Sequence, residues 1–373
     1  MVSFRSFVAI IVVVCAGLPA VASAQLNVVC SVSAEWCKVL ADEFEKDTGV
    51  KVGLHTSVGG DALAMLSEQR GNPKADVWFG GSAETHFRAG RLGLLDEYAS
   101  PMKTQLQPWA QKIAEQSKSQ SVGIYARVLG IGYNSALATQ KKLAAPACWK
   151  DLIKPGFAGD VQIPDANSAG GTYVAIAALV QLFGEDEAFK YLKAMYKAPP
   201  PAAKPGRGQA ETKSLVPKGI PPSAIGGKGG AGRPATAKAG VAKASPAVGN
   251  AIAGIGFVGD IVAEAESGAS IKVVAPCEGT VYDVGALSIV KGAKNRDNAK
   301  KFVDWALGAK AQALGAKAKQ YPYPANTSVA ASPLAPKFGD VKFVTYDAAK
   351  YGKLAERKRL LDRWTQEVGT VAK

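Results

Sequence analysis

Short apolar strands alternate with amphipathic helices along two stretches of the chain, and this alternation limits the possible folds more than any other feature. In the first stretch, residues 26–80, strand-like runs flank a helix that Ser33 caps at its start and Gly49 closes at its end. A second stretch of the same kind follows residue 130. Such alternation is typical of mostly parallel sheets with helices on both faces and ligands at the carboxyl ends of the strands. The sequence therefore predicts a two-lobed α/β fold.

A low-complexity tract, residues 198–253, interrupts this pattern. It has no aromatic residue, eight Lys or Arg residues and one acid, Glu211, so its net charge of +7 is half of the +14 of the chain. A segment rich in Gly, Pro, Ala and Lys buries too little apolar surface to offset its ordering entropy, so we expect it outside both cores. Nucleic-acid binding needs basic residues interleaved with aromatic ones, and no nucleic-acid partner is predicted. The tract is either a true insertion or a local reading-frame error.

The N-terminus has the features of a signal peptide. Arg5 precedes an apolar run over residues 7–16, and residues 22–24 form an A-x-A cleavage site. The run is shorter than the roughly 20 residues that span a bilayer. Residues 1–24 therefore predict a signal peptide cleaved after Ala24 and export to the periplasm; an uncleaved anchor is the alternative.

Cysteine usage agrees with export. The chain has five cysteines, of which Cys15 lies in the expected signal peptide. Four then remain, an even number that predicts two disulfides in an oxidising compartment, with three possible pairings. Proximity in sequence favours Cys30–Cys37, which leaves Cys148–Cys277. A metal site is the alternative, but no C-x-x-C spacing supports one.

Three segments place small or hydroxylated residues between a strand and a helix. They are residues 31–33, 57–60 and 168–172. Helix N-termini present free N–H groups and the positive end of a dipole, so several that converge on one cleft form an anion site. The alternative is that each is an ordinary cap or turn.

Catalytic motifs have little support. The chain has no G-x-S-x-G elbow, and its two histidines lack a neighbouring base motif; we expect His55 to be structural and His86 to lie at the surface. Residues 227–229 lack the Ser or Thr of a phosphate-binding loop. The sequence predicts neither an enzyme nor a cofactor or metal, and an extracytoplasmic hydrolase is the enzymatic alternative.

Several long motifs resemble a known family. They are CSVSAEWCKVLADEFEKDTGVKV, NPKADVWFGGSAETH, QPWAQK, GIYARVLGIGYN, CWKDLIKPGFAGDVQIP, APCEGTVYDVGALSIVKGAKN and AERKRLLDRW. They cover nearly all of the chain outside the tract and the expected signal peptide. They resemble type 2 periplasmic solute-binding proteins of ABC importers, in the broad family associated with iron(III) uptake. The resemblance is greatest to the branch that binds phosphorylated sugars and phosphonates.

The resemblance implies two lobes joined by a hinge of crossover strands, near residues 123–133 and 272–283, with a ligand cleft between the lobes. It divides the chain after the signal peptide into three parts. Residues 25–130 would begin the first lobe, residues 131–275 would form the second lobe including the tract, and residues 276–373 would return to the first lobe and supply the C-terminal helices.

The resemblance also implies a set of ligand contacts. In the first lobe these are Ser33, Ser57, Gly59, Gly60 and Ser82. In the second lobe they are Ser168, Gly171 and Thr172, and two acids, Asp260 and Glu278, complete the set. Relatives commonly have a His before the residue that matches Asp260, where this chain has Gly259. For Asp260 and Glu278, the alternative to ligand contact is a structural role.

The function implied is that of a monomeric periplasmic binding protein. It would capture a small anionic solute, with a phosphorylated organic compound favoured, and deliver it to an inner-membrane ABC permease. Iron(III) is the alternative ligand, but relatives place paired tyrosines in the part of the fold that the tract occupies, and the tract has no Tyr. The missing contacts predict a weak or lost affinity in this copy.

Overall fold

The computed structural model describes residues 25–164, 166, 170–197 and 251–369. The expected signal peptide with Cys15, the candidate ligand residue Ser168, and residues 198–250 of the tract lie outside these ranges. Within the described residues, no helix combines the length and the apolar character needed to span a membrane.

The secondary structure follows the predicted alternation. The strands are β1 (Leu26–Ser31), β2 (Val52–Thr56), β3 (Val77–Ser82), β4 (Leu95–Asp96), β5 (Val122–Asn134), β6 (Val161–Gln162), β7 (Tyr196–Lys197), β8 (Ala253–Phe257), β9 (Ile271–Val274), β10 (Tyr282–Val290) and β11 (Tyr323–Pro324). The helices are α1 (Ala34–Thr48), α2 (Gly59–Glu68), α3 (Ala83–Arg91), α4 (Pro108–Gln116), α5 (Ser135–Gln140), α6 (Gly170–Phe183), α7 (Glu185–Met195), α8 (Val258–Glu266), α9 (Arg296–Leu307), α10 (Ala309–Lys317), α11 (Ala348–Tyr351) and α12 (Leu354–Glu367). Short 3-10 helices cover Pro101–Gln105, Trp149–Ile153 and Phe338–Asp340.

The first helix begins and ends where the sequence predicts. The Ser33 hydroxyl accepts a hydrogen bond from the Trp36 backbone N–H at 3.3 Å, and Gly49 ends α1 with a φ of 71°, a left-handed conformation that glycine adopts without strain. Strand β1 lies between β2 and β3 and is parallel to both. Their carboxyl ends therefore meet at one edge, next to the N-terminus of α1.

Strands β5 and β10 join the two parts of the molecule. The 13-residue β5 pairs with β10 and β11 in its first half and with β8 and β9 in its second half. This confirms that crossover strands lie near residues 123–133 and 272–283. Strand β10 is antiparallel to β3 and to β5, so the expectation of mostly parallel sheets is wrong for the centre of the sheet. The two crossovers run in opposite directions between the lobes, and a helix–strand alternation does not report strand direction.

Two main hydrophobic cores lie on either side of the crossover. The first contains Phe44, Phe79 and Phe302, and a smaller cluster around Trp78 covers the other face of its sheet. The second core contains Trp149 and Phe189. The molecule is thus a two-lobed α/β protein with helices on both faces of its sheet, as the sequence predicts.

The C-terminal helix packs on the second core. Leu360, Trp364 and Val368 of this amphipathic segment are at most 1 % exposed, and all three belong to that core. The chain therefore crosses back to the second lobe after α9 and α10. The apolar spacing in α12 predicts a buried face but not the lobe that it covers.

The tract ends earlier than its composition indicates. Ala251, Ile252 and Ala253 are at most 2 % exposed, and Ala253 begins β8, which lies between β5 and β6. The expectation that residues up to 253 contribute to no core is therefore wrong for these three. Their small and apolar side chains resemble the composition of the tract, but the neighbouring strands bury them.

Both disulfides of the favoured pairing are present. Cys30 and Cys37 join β1 to α1, and Cys148 and Cys277 join the start of the 149–153 helix to the segment that precedes β10. The second bond closes a sequence separation of 129 residues and ties the return crossover to the second lobe.

Candidate functional site

A cavity of about 130 Å³ lies where the carboxyl end of β8 meets β1, β5 and the start of α1. Its lining comes from both sides of the crossover and from the segment after α10. The lining residues are Ser31, Val32, Ser33, Trp36, Tyr125, Arg127, Phe257, Gly259, Asp260, Gln320, Tyr321 and Pro322.

The N-terminus of α1 supplies one wall of the cavity. A helix start offers backbone N–H groups and partial positive charge to an anion, and Ser33 and Trp36 line the cavity at this point. Trp36 is 7 % exposed and packs its ring against Phe79 and Tyr125. Its indole Nε1 is buried and has no hydrogen-bond partner.

Arg127 of β5 supplies the positive charge of the cavity. Its guanidinium forms an ion pair with Asp283 and stacks with its Cζ 4.5 Å from the ring centroid of Phe257. Burial acts against the charge, but the Asp283 carboxylate raises the net pKa of Arg127 above its ordinary value. The side chain is 39 % exposed, yet its Nε is buried without a partner. The cavity lining thus holds two unsatisfied donors.

Asp260 is the acid of the lining, at the start of α8. The residue as a whole is exposed. Desolvation of its carboxyl by the surrounding protein raises the pKa of that group, and the Arg127 charge acts in the opposite direction. The preceding Gly259 allows a close approach, because a Cβ at this position would lie 2.8 Å from the Tyr321 carbonyl oxygen. Helix α8 therefore closes one side of the cavity against the 321–322 segment.

The structure brings two of the expected ligand residues, Ser33 and Asp260, into the cavity lining. Gly171 lies just behind it, because a Cβ there would be 2.9 Å from the Phe257 ring. Gly59 and Gly60 lie in the first turn of α2, and the partly buried Ser57 precedes them; none of the three lines the cavity.

Three expected contacts have other partners. The Ser82 hydroxyl donates to Asp283 Oδ1 at 2.8 Å, and the buried Thr172 hydroxyl donates to the Pro164 carbonyl at 2.8 Å. The Glu278 carboxylate accepts the backbone N–H groups of Trp149 at 2.7 Å and Lys150 at 3.0 Å. The ligand role of Glu278 stays a prediction, and both of its oxygens already cap the start of a short helix. The hydroxyl protons of Ser82 and Thr172 are likewise engaged within the protein.

Sequence reasoning missed Trp36 and Arg127. Trp36 occupies an apolar position of α1 by helical spacing, which hides the polar edge of its indole. Arg127 is the charged residue in the apolar run of β5, and a lone charge in a buried strand is the signal that could have identified it.

The two histidines exchange the places expected for them. His86 is fully buried, with Nδ1 2.8 Å from Ser288 Oγ and Nε2 2.8 Å from the Gly80 carbonyl oxygen, and its ring stacks on Trp78. Burial lowers its pKa to about 4. His55 is exposed on β2, a strand with one open edge. His86 can be buried on α3 because Ser288 and the Gly80 carbonyl give both ring nitrogens a hydrogen-bond partner.

The described residues contain one close group of metal-ligating types, Cys148, Cys277 and Glu278, whose ligand atoms lie within 4.8 Å of one another. The two cysteines form a disulfide, so they supply no thiolate. The carboxylate of Glu278 accepts two backbone N–H groups, as described above. This group does not fit a metal site.

Comparison with known proteins gives three informative matches. A Haemophilus influenzae protein is 36% identical over 349 residues, which cover 93% of this chain and 91% of that protein. The periplasmic binding protein AfuA from Actinobacillus pleuropneumoniae, solved with exogenous fructose-6-phosphate bound, superposes with a TM-score of 0.67 at 34% identity, over 92% of this chain and 98% of AfuA. Iron-bound HitA from Pseudomonas aeruginosa superposes with a TM-score of 0.64 at 18% identity, over 91% of this chain and 98% of HitA, and shares the fold.

A family model also matches the chain over most of its length. The matched residues are 39–341, and they include both crossover strands and every residue of the cavity lining from Tyr125 to Pro322. With the two-lobed fold and a cavity between its parts, the match identifies the chain as a member of the bacterial extracellular solute-binding protein family.

Proposed function

We propose that the protein captures a small phosphorylated organic anion in the cavity between its lobes and delivers it to an inner-membrane ABC permease. The observation that carries the proposal is the pair of buried, unpartnered donors, Trp36 Nε1 and Arg127 Nε, in the lining of one cavity. A buried donor without an acceptor costs free energy, and a phosphoryl oxygen accepts such bonds strongly. The N-terminus of α1 contributes Ser33 to the same cavity, and a helix start favours an anion.

The ligand would contact both sides of the crossover. Ser33 and Trp36 belong to the first lobe, whereas Phe257 ends β8 and Asp260 follows it, and β8 pairs within the second lobe's sheet. A ligand that touches both sides has a higher affinity for the closed arrangement and so shifts the population towards it. Asp260 would accept a hydrogen bond from a donor group of the solute, such as a hydroxyl. No bond is made or broken in this cycle.

The resemblance to AfuA, whose structure contains fructose-6-phosphate, favours a sugar phosphate over iron. Iron(III) prefers several oxygen ligands, such as tyrosine phenolates and carboxylates. Burial raises the pKa of Tyr125 and so opposes its phenolate form. An enzyme is not proposed: of the two serines in the described lining, Ser33 caps α1 and the Ser31 hydroxyl accepts from Trp78 Nε1 at 2.9 Å. We further propose a periplasmic location and a monomeric state.

Thermal melting with added compounds tests this proposal. Fructose 6-phosphate, an alkylphosphonate, inorganic phosphate, ferric citrate and unphosphorylated fructose are each added to the purified protein. At about a hundred times its Kd, a ligand adds roughly 2.7 kcal/mol to the free energy of unfolding, which raises Tm by several degrees. We expect stabilisation by a phosphorylated organic compound and none by fructose. Stabilisation by ferric citrate alone would refute the choice of ligand class.

A further inference from the structure

Arg127 and Asp283 form a pair between the two crossover strands. They are direct partners in the antiparallel register of β5 and β10, so their side chains lie on the same face of the sheet. Val128 belongs to the first core and Leu129 to the second, so Arg127 lies next to the point where β5 changes lobes. The pair is thus located at the base of the cleft.

Asp283 is held more firmly than its partner. Its side chain is 18 % exposed, against 39 % for Arg127. One carboxylate oxygen, Oδ1, accepts the Ser82 hydroxyl at 2.8 Å, and the other, Oδ2, accepts Nη2 of Arg127. Ser82 ends β3, so three neighbouring strands fix the carboxylate.

Two contacts restrict the Arg127 guanidinium. Its edge at Nη2 bonds to Asp283 and its face lies over Phe257 at 4.5 Å. A planar group held at one edge and one face has a fixed orientation. Its Nε–H group is buried without a partner, and the side chain lines the cavity.

We propose that Asp283 is a positioning residue, which holds the guanidinium of Arg127 in one orientation so that its unpartnered N–H groups meet the anion in the cavity. This inference rests on the proposed function, since it assigns the geometry of the same site. Asp283 does not touch the solute. It also reduces the net positive charge of the cavity, so the site recognises its ligand by the direction of a hydrogen bond more than by unspecific attraction.

The direction in which Asp283→Asn changes the affinity for the anion separates the positioning role from a purely electrostatic role and from a purely structural one. Asp283→Asn removes a negative charge, and electrostatics alone would then strengthen the binding of any anion. Loss of the fixed orientation instead weakens the binding of a ligand that needs the guanidinium in that orientation. A purely structural role would lower Tm and leave the affinity unchanged.

The first experiment needs no ligand. Side-chain ¹⁵N NMR of the full-length mature protein, with Arg127→Lys to assign the signal, reports the Nε–H and the rotation of the guanidinium. We expect hindered rotation in the wild type and fast rotation in Asp283→Asn. Unchanged rotation in the variant would overturn the proposal. If Asp283→Asn does not fold, Ser82→Ala provides the test, because it removes one bond to the carboxylate and keeps the ion pair; rotation must then become faster.

The second experiment measures binding by calorimetry. We expect Asp283→Asn to bind fructose 6-phosphate at least about ten-fold more weakly, the scale of one charge-assisted hydrogen bond. Equal or tighter binding would contradict the positioning role. Asp96→Asn is the matched control, because it breaks the exposed ion pair with Arg296 at the far end of β10 and should leave the affinity unchanged. If the wild type binds no phosphorylated compound, the proposed function fails, while the NMR result still decides the role of Asp283.

Discussion

At the residue scale, two hydrogen-bond donors without acceptors determine how the cavity affects stability and ligand affinity. Trp36 Nε1 and Arg127 Nε are buried and unpartnered in the chain alone. Each buried donor that has lost water and gained no acceptor costs about 1–3 kcal/mol. A ligand that accepts from both removes this cost, so removal of a donor should weaken the affinity while it relieves the cost in the protein without ligand.

The substitution Trp36→Phe tests this relation. It keeps an aromatic ring in the wall and removes the N–H, so the affinity for fructose 6-phosphate should fall by roughly 1.5–3 kcal/mol. Stability should fall less than for Trp305→Phe, the matched control, because Trp305 Nε1 donates to Asp47 at 2.9 Å and that bond would be lost. Calorimetry and urea unfolding measure the two quantities. An unchanged affinity in Trp36→Phe would show that the indole N–H does not meet the ligand.

His86 should make the protein sensitive to acid. Burial lowers its pKa from 6.5 to about 4 in the folded state. The unfolded chain therefore binds the proton first, so this residue leaves stability unaffected above about pH 6.5 and lowers it as pH falls from 6.5 to 4. The slope reaches about 1.4 kcal/mol per pH unit. Urea unfolding as a function of pH should show this slope in the wild type and in His55→Gln, whose imidazole is exposed, and should lose it in His86→Gln.

At the scale of the elements, most of the fold and little of the site could be predicted from sequence. The caps at Ser33 and Gly49 and the apolar face of α12 are local signals, and the structure contains each of them. Strand direction at β10 and the neighbours of Glu278 depend on which distant segments meet. No local pattern reports that, and the same holds for the orientation of Arg127.

An ion-pair network holds α12 on the second lobe. Arg359 forms two 2.7 Å hydrogen bonds with the Glu185 carboxylate at the start of α7, and Arg363 forms a third at 2.8 Å. The bonds from Arg359, against the effect of burial, lower the pKa of Glu185 from 4.5 to about 2. The network therefore stabilises the fold above about pH 4.5, and this stabilisation is lost as pH falls towards 2.

The substitution Glu185→Gln should weaken this attachment. Since Arg359 is 48 % exposed, solvent screens the pair, and we expect a loss of about 1 kcal/mol at neutral pH. Glu187→Gln is the control, because both Glu187 and its partner Lys190 are more than half exposed. Thermal melts at pH 7 and pH 3 compare the variants. A loss in Glu185→Gln that is as large at pH 3 as at pH 7 would contradict the electrostatic origin.

At the scale of the whole molecule, the two disulfides constrain very different lengths of chain. Cys30–Cys37 closes a separation of 7 residues, and Cys148–Cys277 closes one of 129. The loop-entropy relation then gives the long bond roughly 2.5 kcal/mol more stabilisation than the short one. The Cys148→Ala/Cys277→Ala variant should therefore unfold at a lower urea concentration than Cys30→Ala/Cys37→Ala. The reverse order would show that local packing, not the loop length, decides the contribution.

The continuity of β5 has a consequence for cooperativity. One strand of 13 residues supplies Val128 to the first core and Leu129 to the second, with no linker between them. Neither core can lose this strand without exposing part of the other, so partial unfolding of a single lobe is costly. The described parts of the molecule should therefore melt together, and differential scanning calorimetry should give one endotherm whose calorimetric and van't Hoff enthalpies agree.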